Sequence, residues 1–161
     1  MNIQTRDKTK SEKNYEMINK ELEPKEKCIT KEKINVLELQ DLLNIQDGSN
    51  GSLFIFLGIV RRDKTTKGVV REIIYDTYEE MAEKEMEKMK KEALKNFKAN
   101  DILIKHRMGR IAVGEVSFVV AVLSPHRKEG INAVDHLVDE LKRKVPIWKR
   151  EIFEDNSYRW K

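Results

Sequence analysis

The sequence predicts an α+β domain in which antiparallel strands pack with two long helices. The β-forming runs come in clusters and do not alternate one by one with helices, and two stretches, 78–97 and 125–145, repeat apolar residues at helical spacing. At 161 residues the chain has the size of one domain with a single proper core.

Each element follows from local pattern. Residues 1–26 are polar and mixed in charge, with Tyr15, Met17, Ile18 and Leu22 nearly the only apolar side chains. They read as a tail or short helix lying on the domain, which begins at residue 27, with Pro24 at the boundary. A brief strand from Lys27 leads into Ile34, Val36, Leu37, Leu39, Leu42 and Leu43, a short amphipathic helix that stops before Asp47-Gly48-Ser49-Asn50-Gly51. The nearly unbroken apolar run 52–60 predicts a central strand buried on both faces. It ends in the polar loop Arg61-Arg62-Asp63-Lys64, and a strand resumes over 72–75. Thr77-Tyr78-Glu79-Glu80 fits a capping box, followed by Tyr78, Met81, Ala82, Met86, Met89, Ala93 and Phe97 on one helical face. Residues 102–104 and 116–123 read as two strands joined through His106-Arg107-Met108-Gly109. Ser124 is placed as N-cap and Pro125 as first residue of the second helix. Its stripe is Ile131, Val134, Leu137, Val138, Leu141 and Val145. Pro146 ends that helix and pushes Val145 towards extended geometry.

Composition narrows the function. Basic residues number 32 and acidic ones 28, so the net charge of +4 is a small difference between interspersed signs. A nucleic-acid binder concentrates its excess on one face, so that class is disfavoured. No apolar run approaches the ~18 to 20 residues needed to span a bilayer, and the N-terminus lacks an apolar signal core, so a soluble cytoplasmic protein is expected. Cys28 is the only cysteine, which excludes an internal disulfide and a Cys-cluster metal site; it reads as a packed strand residue.

The chemistry concentrates in Leu141 to Glu151. Cations there flank an apolar, Pro-centred turn, so Lys142 in the last helical turn and Lys149 in the next segment can converge on one spot. Two ammonium groups beside the face of Trp148 suit an anionic, flat, partly aromatic small molecule. Lys142 follows Ile131 by eleven positions, within about 20° on a helical wheel. That places it on the rim of the apolar stripe, where partial desolvation would lower its pKa. The alternative is ordinary snorkelling from that rim. His126 and Arg127 fall in the first turn of the second helix, where free N–H groups and the helix dipole favour a phosphate; alternatively Arg127 pairs with Glu129 or Glu151 and His126 is a surface residue. Arg61 ends the apolar strand and can form a two-pronged contact with an anion. His106, His126 and His136 are too scattered for a metal cluster, and no glycine-rich phosphate loop is present. Catalysis would then use positioned cations, with no metal and no bound cofactor.

In their joint order these residues resemble the large, catalytic subunit of molybdopterin synthase. The signatures are Phe56-Leu57-Gly58-Ile59-Val60-Arg61, Tyr75 to Met81-Ala82, His106-Arg107-Met108-Gly109 and Gly114-Glu115. They continue as Ser124-Pro125-His126-Arg127, Leu141-Lys142, Pro146 to Glu151 and Arg159-Trp160, so the match covers roughly residues 28–160. The resemblance implies an α/β-hammerhead fold and a homodimer flanked by two small ubiquitin-like sulfur carriers. Each carrier would insert a C-terminal Gly-Gly thiocarboxylate, whose sulfur moves to cyclic pyranopterin monophosphate (precursor Z) to build a dithiolene. It implies Lys142 and Lys149 as catalytic, and Ile59, Val60, Arg61, His126, Arg127, Lys142, Lys149, Arg150 and Glu151 as substrate-binding. Pro146-Ile147-Trp148 is expected to form one wall of the carrier-tail channel. The rival reading is a non-catalytic module in which the same cations hold a nucleotide or another anion.

Overall fold

The computed structural model describes residues 26–161; the N-terminal extension, with its expected boundary at Pro24, lies outside the described residues. The element order is β1 (Ile29–Thr30), two 3-10 segments (Val36–Leu42 and Ile45–Asp47), β2 (Ser52–Ile59), β3 (Lys64–Thr65), β4 (Gly68–Thr77), α1 (Glu79–Phe97), β5 (Asp101–Arg107), β6 (Gly109–Ala112), β7 (Val116–Ser124), α2 (Arg127–Lys144), β8 (Ile147–Phe153) and β9 (Tyr158–Trp160). One sheet has the order β1-β5-β7-β2, antiparallel except for the β1–β5 pair. The other runs β3-β4-β8-β9, with β6 also paired to β4, and is antiparallel throughout. The α+β class with two long helices is the one the sequence predicts.

Alternation along β5 and β7 divides the core into two layers. Ile102, Ile104, Phe118, Val120 and Val122 face α1 and α2, meeting Ala82, Met86, Met89, Ala133, Leu137 and Leu141. Leu103, Val119, Ala121 and Leu123 face the opposite way, where Leu39, Leu43 and the half-buried Leu53 and Leu57 cover them. Glu83 fixes β1 to α1 by accepting the backbone N–H groups of Cys28 (2.9 Å) and Ile29 (2.8 Å). The Cys28 thiol is buried, and burial is the main cause of its being pushed up to about 12.

Five expectations need correction. β2 is not central: among the described residues it pairs only with β7 and forms the sheet edge, with Ile55 42% and Ile59 56% exposed. The central strand is β7, buried from Ser117 to Ser124 and paired on both sides. An apolar run reports a surface that needs covering, and the pattern is the same whether its own chain or another covers it. The expected amphipathic helix near residue 36 is a 3-10 segment capped by Asn35, whose side-chain oxygen accepts from Leu37 N–H (3.1 Å).

The expected capping box does not form either. Tyr78 is the N-cap of α1 without a side-chain bond, and Thr77 instead donates its hydroxyl to the Pro146 carbonyl (2.6 Å), tying α1 to the start of β8. Finally, α2 starts at Arg127 with His126 as N-cap, because Ser124 stays in β7 opposite Ser52 and spends its hydroxyl on Ser52 and on the His126 carbonyl. Met81 and Ile131, expected on the apolar stripes, are exposed.

Candidate active site

A cavity of about 510 Å³ opens where the edge of one sheet, the other sheet and the C-terminal end of α2 meet. Its parts arrive by different routes. β2 shifts register between Gly58 and Ile59, and the chain leaves the strand with Val60 buried and Arg61 exposed. Val60 is held in place by its N–H donating to the Glu115 carbonyl (3.0 Å) and by its carbonyl accepting from Gly114 N–H (2.8 Å). The Glu115 side chain is fixed in turn by Lys33, the Ala112 N–H and Arg107, which hold its carboxyl down at about 2, Lys33 contributing most.

Leu141, Lys142 and Val145 come from the end of α2, which stops at Val145 with φ −76° and ψ 128°, the extended geometry that Pro146 demands. Beyond Pro146, β8 alternates: Ile147, Lys149 and Glu151 line the cavity. β4 adds Ile73 and Tyr75; β5 and β7 close the floor with His106, Ser117 and Phe118, against which Phe56 packs at 5.5 Å between ring centroids.

The cavity therefore gathers Ile59, Val60, Arg61, Lys142, Lys149 and Glu151 of the expected residues. Lys142 is exposed at the mouth, so the desolvated lysine is a different one. Lys149 is half-buried and its ammonium is pushed below the ordinary lysine value, chiefly by burial, with the charges of Lys161 and Lys142 adding and Glu151 opposing. Glu151, with its side chain 3% exposed, is bound by Arg159 and by Lys161 at 3.2 Å, so it neutralises the cavity's far wall. Arg61 pairs with Asp63.

Four expected residues lie outside the cavity. Arg150 points to the opposite face of β8, between the rings of Tyr158 and Trp160 at 5.3 Å from each centroid. Trp148 shares that outer side, is 53% exposed, and walls nothing beside Lys149, because adjacent strand residues face opposite ways. His126 and Arg127 start α2, about 22 Å from Lys142 at 1.5 Å per residue. Both are exposed there, and Arg127 has no ion-pair partner among the described residues.

The aromatic floor was not foreseen as part of the site. Its signal lies in the pattern Ile102-x-Ile104-x-His106, which puts a histidine on the core-facing side at a strand end. The His106 ring packs edge-on to Tyr75 (5.0 Å) and stacks on Phe118 (5.5 Å). Burial chiefly, with Lys149's charge adding and the Arg107 carbonyl opposing, lowers the imidazole to about 4. Tyr75 is pushed up by its burial. The terminal Lys161 also lines the cavity. Among the described residues no group of three or more His, Cys, Asp or Glu could hold a metal, and no helix is long and apolar enough to cross a membrane.

Comparison with known proteins is concordant. A family model described as MoaE protein matches residues 29–144. The molybdopterin synthase catalytic subunit of Pyrococcus abyssi (strain GE5 / Orsay) is 39% identical over 135 residues, 80% of this chain and 90% of that protein. That of Dictyostelium discoideum is 42% identical over 132 residues, 79% of this chain and 82% of that one. A crystal structure of molybdopterin synthase from Staphylococcus aureus superposes with a TM-score of 0.78 at 28% identity, covering 86% of this chain and 98% of that chain.

Proposed function

The chain belongs to the MoaE family of molybdopterin synthase catalytic subunits, enzymes of molybdenum cofactor biosynthesis, and on that premise we propose how its cavity performs the reaction. A small ubiquitin-like carrier places its C-terminal Gly-Gly thiocarboxylate in the cavity, and the sulfur moves to precursor Z on the way to the dithiolene. The observation that carries this reading is the half-buried Lys149, with its lowered ammonium pKa, beside the exposed Lys142 in one cavity with an aromatic floor. Lys149 supports charge that develops on the reacting carbonyl or enolate, where partial burial strengthens its field. Lys142 and Arg61, both exposed at the mouth, receive the anionic ends of the ligands.

His126 and Arg127 act on the substrate phosphate from a second copy of the chain. Supporting this, β2 is an apolar edge whose outer side has no partner strand among the described residues, and its Ser52 end lies beside the start of α2, where Ser52 meets Ser124 and Gly51 N–H donates to the Ser124 carbonyl. Its Ile59 end leads into the cavity. Antiparallel pairing of two such edges across a two-fold axis sets the His126–Arg127 end of one copy beside the cavity of the other. Arg150, stacked between two rings, orders the outer face of β8 and takes no direct part. A domain boundary near residue 26 and a cytoplasmic setting, in keeping with the free buried thiol of Cys28, belong to the same proposal.

The test is reconstitution of the protein with precursor Z and a thiocarboxylated carrier. Dithiolene product is expected with the charged carrier and none with the uncharged one, and Cys28→Ser should leave the rate unchanged. Tight binding of precursor Z without turnover would instead favour a non-catalytic anion-binding module.

A further inference from the structure

Most polar groups lining the cavity are donors or already have partners. Arg61, Lys142, Lys149 and Lys161 can only donate. Glu151 is occupied by Arg159 and Lys161, and Asp63 by Arg61. Ser117 gives its hydroxyl proton to the Gly58 carbonyl (3.0 Å).

His106 differs from all of these. Its Nδ1 lies 3.0 Å from the carbonyl oxygen of Arg107. A carbonyl only accepts, so Nδ1 carries the proton and Nε2 the lone pair. Nε2 has no hydrogen-bond partner among the described residues. The sealed orphan atoms among those residues are Arg107 Nε, Glu129 Oε2 and Arg150 Nε, and Nε2 is not one of them although the residue is only 5% exposed. Its opening is the cavity that His106 lines. The Tyr75 and Phe118 rings fix the plane of the imidazole, and the ring is neutral at physiological pH because burial holds it near 4.

We propose that His106 is a catalytic proton acceptor of the sulfur transfer, taking at Nε2 a proton from the water that replaces sulfur on the carrier's acyl carbon. This rests on the function proposed above. Once the thiocarboxylate sulfur has bonded to a substrate carbon, it is still bonded to the carrier's terminal acyl carbon. Release forms a C–O bond from water to that acyl carbon and breaks the C–S bond. The C–S electron pair leaves with sulfur as a substrate thiolate, one water proton goes to Nε2, and the carrier departs as a carboxylic acid. The imidazolium then returns its proton to solvent. Its charge is offset during the step by the oxyanion that forms in the same cavity, and afterwards Lys149 disfavours its persistence.

The experiment is a quenched single turnover of wild type, His106→Phe and His106→Gln with thiocarboxylated carrier and precursor Z. Mass spectrometry follows free carrier, the carrier–substrate thioester and product. His106→Phe keeps a ring between Tyr75 and Phe118 but has no lone pair. Its product release should fall by about 100-fold or more with the thioester accumulating. Affinities for precursor and carrier should stay within about threefold of wild type. If the phenylalanine variant does not fold, His106→Gln, which sets a non-basic amide near the Nε2 position, must show the same accumulation. Product release close to the wild-type rate, or slow release without any thioester, would overturn the assignment. A wild-type protein that makes no product would instead defeat the functional reading on which it rests.

Discussion

Lys142 and Lys149 reach one cavity from the end of a helix and from the start of a strand, and their surroundings give them different work. Lys149 is half-buried with a lowered ammonium pKa, so a fraction of neutral amine and a concentrated field are both available there. Lys142 stands in solvent at the mouth, and in the proposed reaction it contributes charge alone. Replacing Lys149 by Ala should therefore cost about 100-fold or more in turnover, and Lys149→Arg should not rescue it, because a guanidinium stays protonated and is too broad for the site. Lys142→Arg, in contrast, should retain more activity than Lys142→Ala; equal loss in both would show that Lys142 is the proton-transferring lysine. His106 yields a stability prediction. Its folded value near 4 lies below the ordinary 6.5, so between these values the unfolded chain takes up a proton that the folded chain refuses. The stabilisation is complete above pH 6.5 and is lost as pH falls towards 4, on the order of 3 kcal/mol. Thermal melts of wild type should fall over that window, and His106→Phe should flatten the fall. An unchanged slope would place the titration elsewhere. Glu115 and Glu140, both held near 2 by cations, lose their contributions in a lower window, from 4.5 down to 2.

Elements differ in how far the sequence announces them. The two helices were legible because Met86, Met89, Ala93, Leu137, Val138 and Leu141 recur at the helical period, and Pro146 could stop α2 in only one way. Their starts were not. Thr77 and Ser124 have the chemistry of N-caps, but tertiary partners, the Pro146 carbonyl and Ser52, claim their hydroxyls. The role of β2 was hidden for a related reason: Ser52 to Val60 is as apolar as a central strand, yet one of its sides has no partner strand among the described residues. Likewise the cavity's cations could be picked from their flanks, whereas its floor depends on strands far apart in sequence, as in the contact of Phe56 in β2 with Phe118 in β7, which no local pattern encodes. Gly58 shows how closely that floor is fitted. A Cβ there would fall on the ring of Phe118, which itself stacks on Phe56 and His106. Gly58→Ala should lower stability by about 1 to 3 kcal/mol by overpacking, and should slow turnover by displacing the floor. Urea denaturation that matched wild type would mean that Phe118 has room to move.

At the scale of the whole molecule, Arg61, Lys142 and Lys149 gather in one cavity while His126 and Arg127 stand at the far end of an 18-residue helix. A single copy cannot bring them together without rebuilding α2, whose inner face is locked into the core by Ala133, Leu137 and Leu141. Two copies joined along their β2 edges can, and this makes the proposed site a property of the pair. The consequence is measurable by mixing two inactive proteins. Lys149→Ala destroys the cavity of its own copy, and Arg127→Ala removes the phosphate contact that its copy lends to the other. When the two are unfolded together and reassembled, about half of the dimers are mixed. In each mixed dimer the cavity of the Arg127→Ala copy keeps its own Lys149 and receives Arg127 from the Lys149→Ala copy, so one of the two sites is intact. Turnover should recover to about one quarter of wild type, because half of the dimers carry one good site in two. Recovery should also scale with the product of the two mixing fractions. If both residues served the same copy's cavity, neither copy in a mixed dimer would own a complete site, and the mixture would stay as inactive as its components.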